Sequence, residues 1–426
     1  MNKKIPLGAT IALIIISVAL TISVTMVIAM RQFNSKVSDV GKRQVMFEYI
    51  TDIDKAVRQH YAGAIDEEKL REALTKGYID GIGDPYASYY TAAQYRVQVD
   101  RMAGKKTGLG LQVTLSSDEQ LKIAEVDKNS AAERAGVLQG DVITALDGTP
   151  VYPSDYDRVT QQLAGASKII VTVQRGDQST AFELSPSPYT TNSVEGRMID
   201  TTGYIRISEF NDLTLDQFKS VYAGLEEQGA QQYIFDLRGN TGGQLSTASG
   251  VIEYLMPRGV YAHRTDSAGT VTDLTDADSY QMDKASVTLV NQSTAGEAEL
   301  FAGVLQEFGK TVVVGTQTAG RGLTQEYFSI SSDGSAVRLS VAKLSLITGG
   351  EFEGGGITPN MVVGMTEEQE RDFAFLTDAQ DPQLQGALTA VKQPLPTTTT
   401  AAATTAATEP VSTEPAPTEE NTSSEQ

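Results

Sequence analysis

Cysteine and tryptophan are absent from the chain, and histidine occurs only as His60 and His263. Without cysteine there is no disulfide framework and no thiolate metal site. Two histidines leave almost no material for an imidazole cage or a Ser/His/Asp triad. No metal and no organic cofactor is therefore expected. An excess of positive charge is lacking too: 34 Lys and Arg stand against 54 Asp and Glu, a formal net charge of -20. That balance repels phosphate, and no basic patch offsets it, which argues against nucleic acid as a partner. What is present suffices for folding. Apolar residues are 40% of the 426 and charged residues 21%, and the length suggests two or three domains.

Both ends differ from the middle. Ile5 to Met30 carries no charged side chain and is rich in Ile, Val, Leu and Ala, with Lys3 and Lys4 before it and Arg31 after it. About 20 apolar residues span a bilayer, and the positive-inside rule keeps the two lysines in the cytoplasm. Residues 1–31 are thus expected to form a cytoplasmic stub and transmembrane anchor. The globular part would then be extracytoplasmic on a single-pass cell-membrane protein. A cleaved signal peptide is the alternative, although its apolar core usually runs only about 7–15 residues; either way the chain is exported. From Gln393 the composition turns to Thr, Ala, Pro, Ser and Glu, too poor in large apolar residues to offset its ordering entropy. Residues 393–426 are expected to be disordered, as a free tail or as a glycosylated or wall-traversing stalk.

Between the ends, residues 32–103 read as helical. Val45 to Tyr61 has apolar residues at helical spacing, and Asp66 is placed to cap a second helix whose Leu70, Ala73, Leu74, Gly77 and Tyr78 share a face. The run from Gly81 to Tyr90 then breaks it with turn residues.

Residues 104–188 carry a more specific pattern. Gly108-Leu109-Gly110-Leu111 precedes an alternating stretch to Leu115. Ile123 to Asp127, Ser130 to Gly136 and Leu138 to Gly148 follow, and the strand Ile169 to Val173 closes the set. This order resembles a PDZ domain. Successive N–H groups in a Gly-x-Gly loop can point at one carboxylate. The strand after it offers an edge to a ligand's last residues. Gly108, Leu109, Gly110 and Leu111 are the candidate site for a peptide C-terminus, with Leu109 and Leu111 shaping an apolar pocket. The competing reading is a PDZ fold kept only for packing.

Residues 189–392 alternate strands and helices: strand Gly203–Phe210, helix Thr214–Gln228, strand Gln232–Arg238 ending in Gly239-Asn-Thr-Gly-Gly243, strand Val287–Asn291, then Gln292 to Gly303 and Val312 to Gln325. With Asp84-Pro85-Tyr86, Gly356-Ile-Thr-Pro-Asn360 and a last helix from Asp381, residues 42–392 resemble the carboxyl-terminal processing peptidases, or tail-specific proteases. The resemblance implies an α+β fold: an N-terminal helical region, a PDZ domain, and a peptidase-type core of curved sheet with flanking helices. It also implies a Ser–Lys dyad in which a desolvated lysine activates a serine. The serine position, three residues before Glu299, is Gly296 here. The lysine position, between Gly320 and Gly322, is Arg321. The family's assisting glutamine is present as Gln325. Glycine has no attacking oxygen, and a guanidinium does not give up its proton to serve as a base. Gly242 and the N–H of Glu297 are the candidate oxyanion donors, with Thr241 where the family usually has proline; a tight turn would explain these glycines equally well. Glu297 is also placed to pair with Arg321.

The resulting expectation is a non-catalytic homologue, a pseudoenzyme. It would bind the C-terminal segments of exported proteins, or regulate an active paralogue within an oligomer. The alternative is an active serine endopeptidase with a relocated nucleophile, Ser293 or Thr294, and Lys310 or Lys343 as base.

Overall fold

The computed structural model describes the backbone of residues 7–276, 282–348 and 350–393, with the side chains of 7–16 and most of 27–42 outside it. The expected disordered tail therefore lies, beyond Gln393, outside the described residues. The chain divides into two compact units, 1–74 and 75–426. The first holds helix α1 (Leu7–His60) and the start of α2 (Glu67–Asp80). Arg58 forks onto Glu67 at 2.6 and 2.9 Å, and the Asp66 side chain accepts the Lys69 N–H as expected of a cap. Among the described residues no helix is long and apolar enough to cross a membrane. Of the apolar run 5–30, residues 5 and 6 and the side chains of 7–16, 19 and 27–29 lie outside the described residues.

The second unit opens with β1 (Ser88–Tyr90) and α3 (Ala92–Met102), the latter closed by a capping box between Thr91 and Gln94. Strand β2 (Lys105–Gly108) leads into a lobe of β3 (Leu111–Leu115), β4 (Leu121–Val126), α4 (Ala131–Ala135), β5 (Val142–Leu146), β6 (Thr149–Pro150), α5 (Tyr156–Gly165), β7 (Ile169–Arg175) and β8 (Gln178–Leu184). The sheet order is β3-β4-β5-β7-β8. Val171 and Val173 point inward with Ile123, Ile143 and Leu146, fully or almost fully buried. Strand β3 lies at the sheet's edge, the position a pairing ligand would need. Strand β9 (Ser187–Thr190) returns beside β2.

The core follows from strands that are apolar on both faces. Strands β10 (Val194–Ile199) and β11 (Thr202–Ile207) are antiparallel. After α6 (Thr214–Glu227) comes β12 (Gln232–Asp236), parallel to β11. Helix α7 (Leu245–Leu255) follows, then β13 (Gly259–Asp266) and β14 (Val271–Asp276). Strand β15 (Ser286–Val290), α8 (Glu297–Glu307) and β16 (Thr311–Gly315) continue the parallel sheet. Tyr233 and Phe235 face one side with Phe218, Tyr222 and Phe301. Ile234 between them faces the other, with Val287, Leu289 and Val314. Covering both faces with helices is the usual condition for a parallel sheet. Strands β17 (Leu323–Ser329) and β18 (Ala336–Leu346) join β1, β13 and β14 in a second sheet. Strand β19 (Met361–Val362) extends the first sheet beside β16. Helices α9 (Glu367–Arg371) and α10 (Pro382–Ala390) complete the described chain, the last being the helix expected from Asp381, whose side chain caps it. This mixture of sheets and helices agrees with the expected α+β class.

Candidate functional site

Open parallel sheets present their sites beyond the carboxyl ends of the strands. Here the segments leaving β12, β15 and β16 meet, carrying residues 237–244, 291–296 and 316–322. The first is fixed from below. Arg238, buried, grips Asp236 at 2.6–3.0 Å and Asp381 at 2.8 Å, with Gln383 at 3.1 Å. Asn240, fully buried, donates to the Ile207 carbonyl and accepts the Gly242 N–H at 2.8 Å. The second segment is tied to the first by the Ala295 N–H on the Asn240 carbonyl and the Thr294 hydroxyl on the Leu237 carbonyl, both 2.9 Å.

Glu299 joins the second segment to the third. Its carboxylate, fully buried, accepts the Gly296 N–H at 3.0 Å, the Gly320 and Arg321 N–H groups at 2.7 Å, and the Thr318 hydroxyl. Residues 296 and 321, far apart in sequence, are thus held to the same carboxylate. Gly296 caps α8 with φ 62° and ψ -124°. A β-carbon there would meet Gly242 and Thr241 at 3.7 Å, an ordinary contact. Space does not exclude a side chain, but positive φ costs any non-glycine residue about 1–3 kcal/mol.

The expected pairing of Glu297 with Arg321 is not formed. Arg321 stacks on Tyr86, its guanidinium 5.0 Å from the ring centroid, and its Nε is buried with no hydrogen-bond partner among the described residues. The buried Glu297 carboxylate instead accepts the Gly243 N–H at 2.9 Å. Of the two oxyanion candidates, the Gly242 N–H is engaged: it turns away to Asn240, and the N–H that meets the Glu297 carboxylate from the 237–244 segment belongs to Gly243. Sequence spacing could not separate Gly242 from Gly243, because the choice depends on which of two adjacent peptide planes Asn240 captures.

Burial holds the Glu297 carboxyl above the usual carboxylate range, while the Gly243 N–H, its own N–H and the Arg321 charge pull the other way. An acid with a higher pKa folded than unfolded binds its proton more tightly when folded. Folding is then favoured at low pH and loses stability as pH rises from the ordinary carboxylate value through the raised one. Glu297→Gln removes that loss. Its thermal midpoint is expected to exceed that of the native chain at pH 7.5 and to match it at pH 4, as read by calorimetric melts.

The remaining candidates are placed as follows. Gln325 lines a cavity that Glu297 and Arg321 also line, its amide donating to the Leu323 carbonyl at 2.5 Å. Ser293 is exposed, and the Thr294 hydroxyl is spent on Leu237. Lys310 donates to the Met282 carbonyl and Lys343 pairs with Glu351 at 3.7 Å. Among the described residues no lysine is hydrogen-bonded to either hydroxyl. In the PDZ-like lobe, the carbonyls of Leu109 and Gly110 accept the N–H groups of Ala132 and Asp127 at 2.9 Å, while their own N–H groups have no partner among the described residues. Gly110, at φ 75°, packs so closely that a β-carbon would lie 2.0 Å from that of Ser130. Leu109 is a core residue of the lobe rather than an open pocket wall, and Leu111 packs partly buried against that core. Gly108 ends β2 opposite Ser187.

Comparison with known proteins agrees with this geometry. A family model described as Peptidase family S41 matches residues 201–363, and one described as PDZ domain matches 122–175. A carboxyl-terminal-processing protease of Synechocystis sp. is 30% identical over 317 residues, covering 72% of this chain and 73% of that protein. A probable CtpA-like serine protease of Staphylococcus aureus is 27% identical over 362 residues, covering 84% and 73%. A putative S41 protease structure from Bacteroides fragilis shares the fold, with a TM-score of 0.59 at 18% identity, covering 79% of this chain and 96% of that one.

Proposed function

This chain belongs to the carboxyl-terminal processing protease family, and from that premise we propose that it binds the C-termini of other proteins through its PDZ domain without cutting them. One observation carries the non-catalytic half: the carboxylate of Glu299 gathers a glycine and an arginine at the positions where the family's dyad would stand. Glycine supplies no nucleophile, and the arginine, stacked on Tyr86, supplies no base. Supporting this, the hydroxyls nearest in sequence have other partners or no lysine beside them. The unpartnered N–H groups of Leu109 and Gly110, next to the edge strand β3, support the binding half.

The test is fluorescence anisotropy on the full chain, using a panel of peptides that end in apolar residues. Free-acid peptides are expected to bind at least about tenfold more tightly than their C-terminal amides, because the amide removes the charge those N–H groups receive. Mass spectrometry of the same mixtures is expected to find every peptide intact. Absence of binding across the panel would sink the binding half, and cleavage would sink the other.

We further propose that residues 5–30 hold the globular part at the outer face of the cell membrane. The uncharged run and the lysines before it support this reading. Retention of the full chain in carbonate-washed membranes, with the PDZ domain open to external protease, is the expected result; release into the carbonate supernatant would overturn it.

A further inference from the structure

Beside Glu297 lies a cavity of about 750 Å³, within the usual range for a ligand site. Three buried side-chain polar atoms lack any hydrogen-bond partner among the described residues: Ser249 Oγ, Arg264 Nε and Arg321 Nε. Buried donors without partners are rare and costly, and all three belong to residues that line this one cavity.

The charges give the ligand its sign. Four arginines line the cavity: Arg101, Arg264, Arg321 and Arg338. Arg101 pairs with Glu209 at 3.1 Å and Arg264 with Glu326 at 2.6 Å. Arg321 rests on Tyr86, and Arg338 donates to the Tyr86 carbonyl at 3.1 Å. Neither of these two is paired with a carboxylate among the described residues. The remaining lining carboxylate, Glu297, already accepts the Gly243 N–H. On a chain of net charge -20, this cavity carries a local cationic excess.

We propose that the cavity is a second binding site, distinct from the PDZ groove, for a peptide carboxylate held by the guanidinium of Arg321. Arg264, Arg338 and Ser249 stand along the same wall. The residue standing where the family places its general base would thus serve as an anchor. A guanidinium suits this role because it is always charged and presents several donors in one plane. The inference rests on the reading of the chain as a non-cleaving binder of peptides.

The experiment uses the full chain and three labelled hexapeptides: an amidated Glu–Ala repeat, an amidated Gln–Ala repeat, and a neutral Ala–Gly peptide with a free C-terminal carboxylate. Binding of the Glu–Ala or the free-acid peptide but not the Gln–Ala peptide, weakened at least about tenfold in Arg321→Gln, is the expected result. Which of the two binds tells whether the carboxylate is a side chain or a terminus. Gln–Ala binding equal to that of the carboxylate peptides, no binding of either carboxylate peptide, or affinities unchanged in Arg321→Gln would overturn the proposal. Should Arg321→Gln lose its cooperative melt, Glu–Ala binding to Arg338→Gln gives the same reading from the other lining arginine without a carboxylate partner among the described residues. An apolar-ended peptide at the PDZ groove is expected to bind Arg321→Gln as it binds the native chain. Its failure in both proteins would count against the PDZ reading and leave the amidated Glu–Ala result to decide the cavity.

Discussion

The native chain is expected to leave a loosely folded substrate with an apolar C-terminus intact, whereas the triple variant Gly296→Ser, Glu297→Ala, Arg321→Lys cleaves it. The difference in rate should be at least about 10³-fold, in keeping with what loss of a nucleophile or its base costs in other hydrolases. Each substitution answers one feature of the site. A serine at 296 has room for its β-carbon, with nothing nearer than 3.7 Å, and bears only the strain of positive φ. A lysine at 321 keeps the backbone anchor to Glu299 and exchanges a permanent charge for an amine that desolvation can neutralise. Alanine at 297 withdraws the carboxylate from the Gly243 N–H and frees a donor for the developing oxyanion. The double variant that keeps Glu297 is expected to be slower by about 10²–10³, the usual effect of one missing oxyanion donor. Timed electrophoresis of the substrate with all three proteins checks this. A native chain that cuts would return attention to Ser293 and Thr294. A triple variant that folds and does not cut would mean that the groove has lost more than its dyad.

The parts of this arrangement that depend on local pattern were legible in the sequence. The apolar run from Gln232 to Asp236 and the stretch from Ser286 to Val290 became parallel strands because both of their faces have apolar side chains to bury. Glu299 and the glycines at 320 and 322 marked Gly296 and Arg321 as the dyad positions, without any view of the hydrogen bonds by which Glu299 joins them. What was not legible depends on long-range packing. Glu297 and Arg321 looked like a pair because their charges are opposite, yet Tyr86, far back in the chain, offers the guanidinium a ring face, and the Gly243 peptide offers the carboxylate an N–H. Arg264, Ser249 and Arg338 drew no attention as site residues. They come from β13, α7 and β18, and β18 shows no clean alternation of buried and exposed positions that would have aimed its side chains. Their common cavity exists only once the second sheet closes against the ends of β12, β15 and β16.

Glu299→Ala is expected to have the largest effect on stability, and it tests whether one carboxylate holds the site together. The side chain is fully buried and accepts four donors, three of them backbone N–H groups. Alanine leaves all four facing a space that affords them no acceptor, at a cost of about 1–3 kcal/mol for each group that water does not reach. Partial relaxation and water entry bring the expected loss to about 4 kcal/mol, in line with breaking a buried charged network. Glu299→Gln separates charge from hydrogen bonding. One oxygen still accepts two donors, but the amide nitrogen now confronts a pair of them. If it replaces Oε1, the Thr318 hydroxyl, which already accepts the Ile357 N–H at 2.6 Å, can take it only on its second lone pair with its own proton turned elsewhere, and the Gly320 N–H meets another donor. About half the loss of the alanine variant is therefore expected, measured by urea unfolding of both. Losses below about 1 kcal/mol in both variants would show that other contacts fix the 316–322 segment. Because the Arg321 N–H is one of the four, the same variants should also weaken carboxylate binding in the cavity. They should leave the PDZ groove unaffected, since the donors that Glu299 accepts all lie in residues 296–321, outside that lobe.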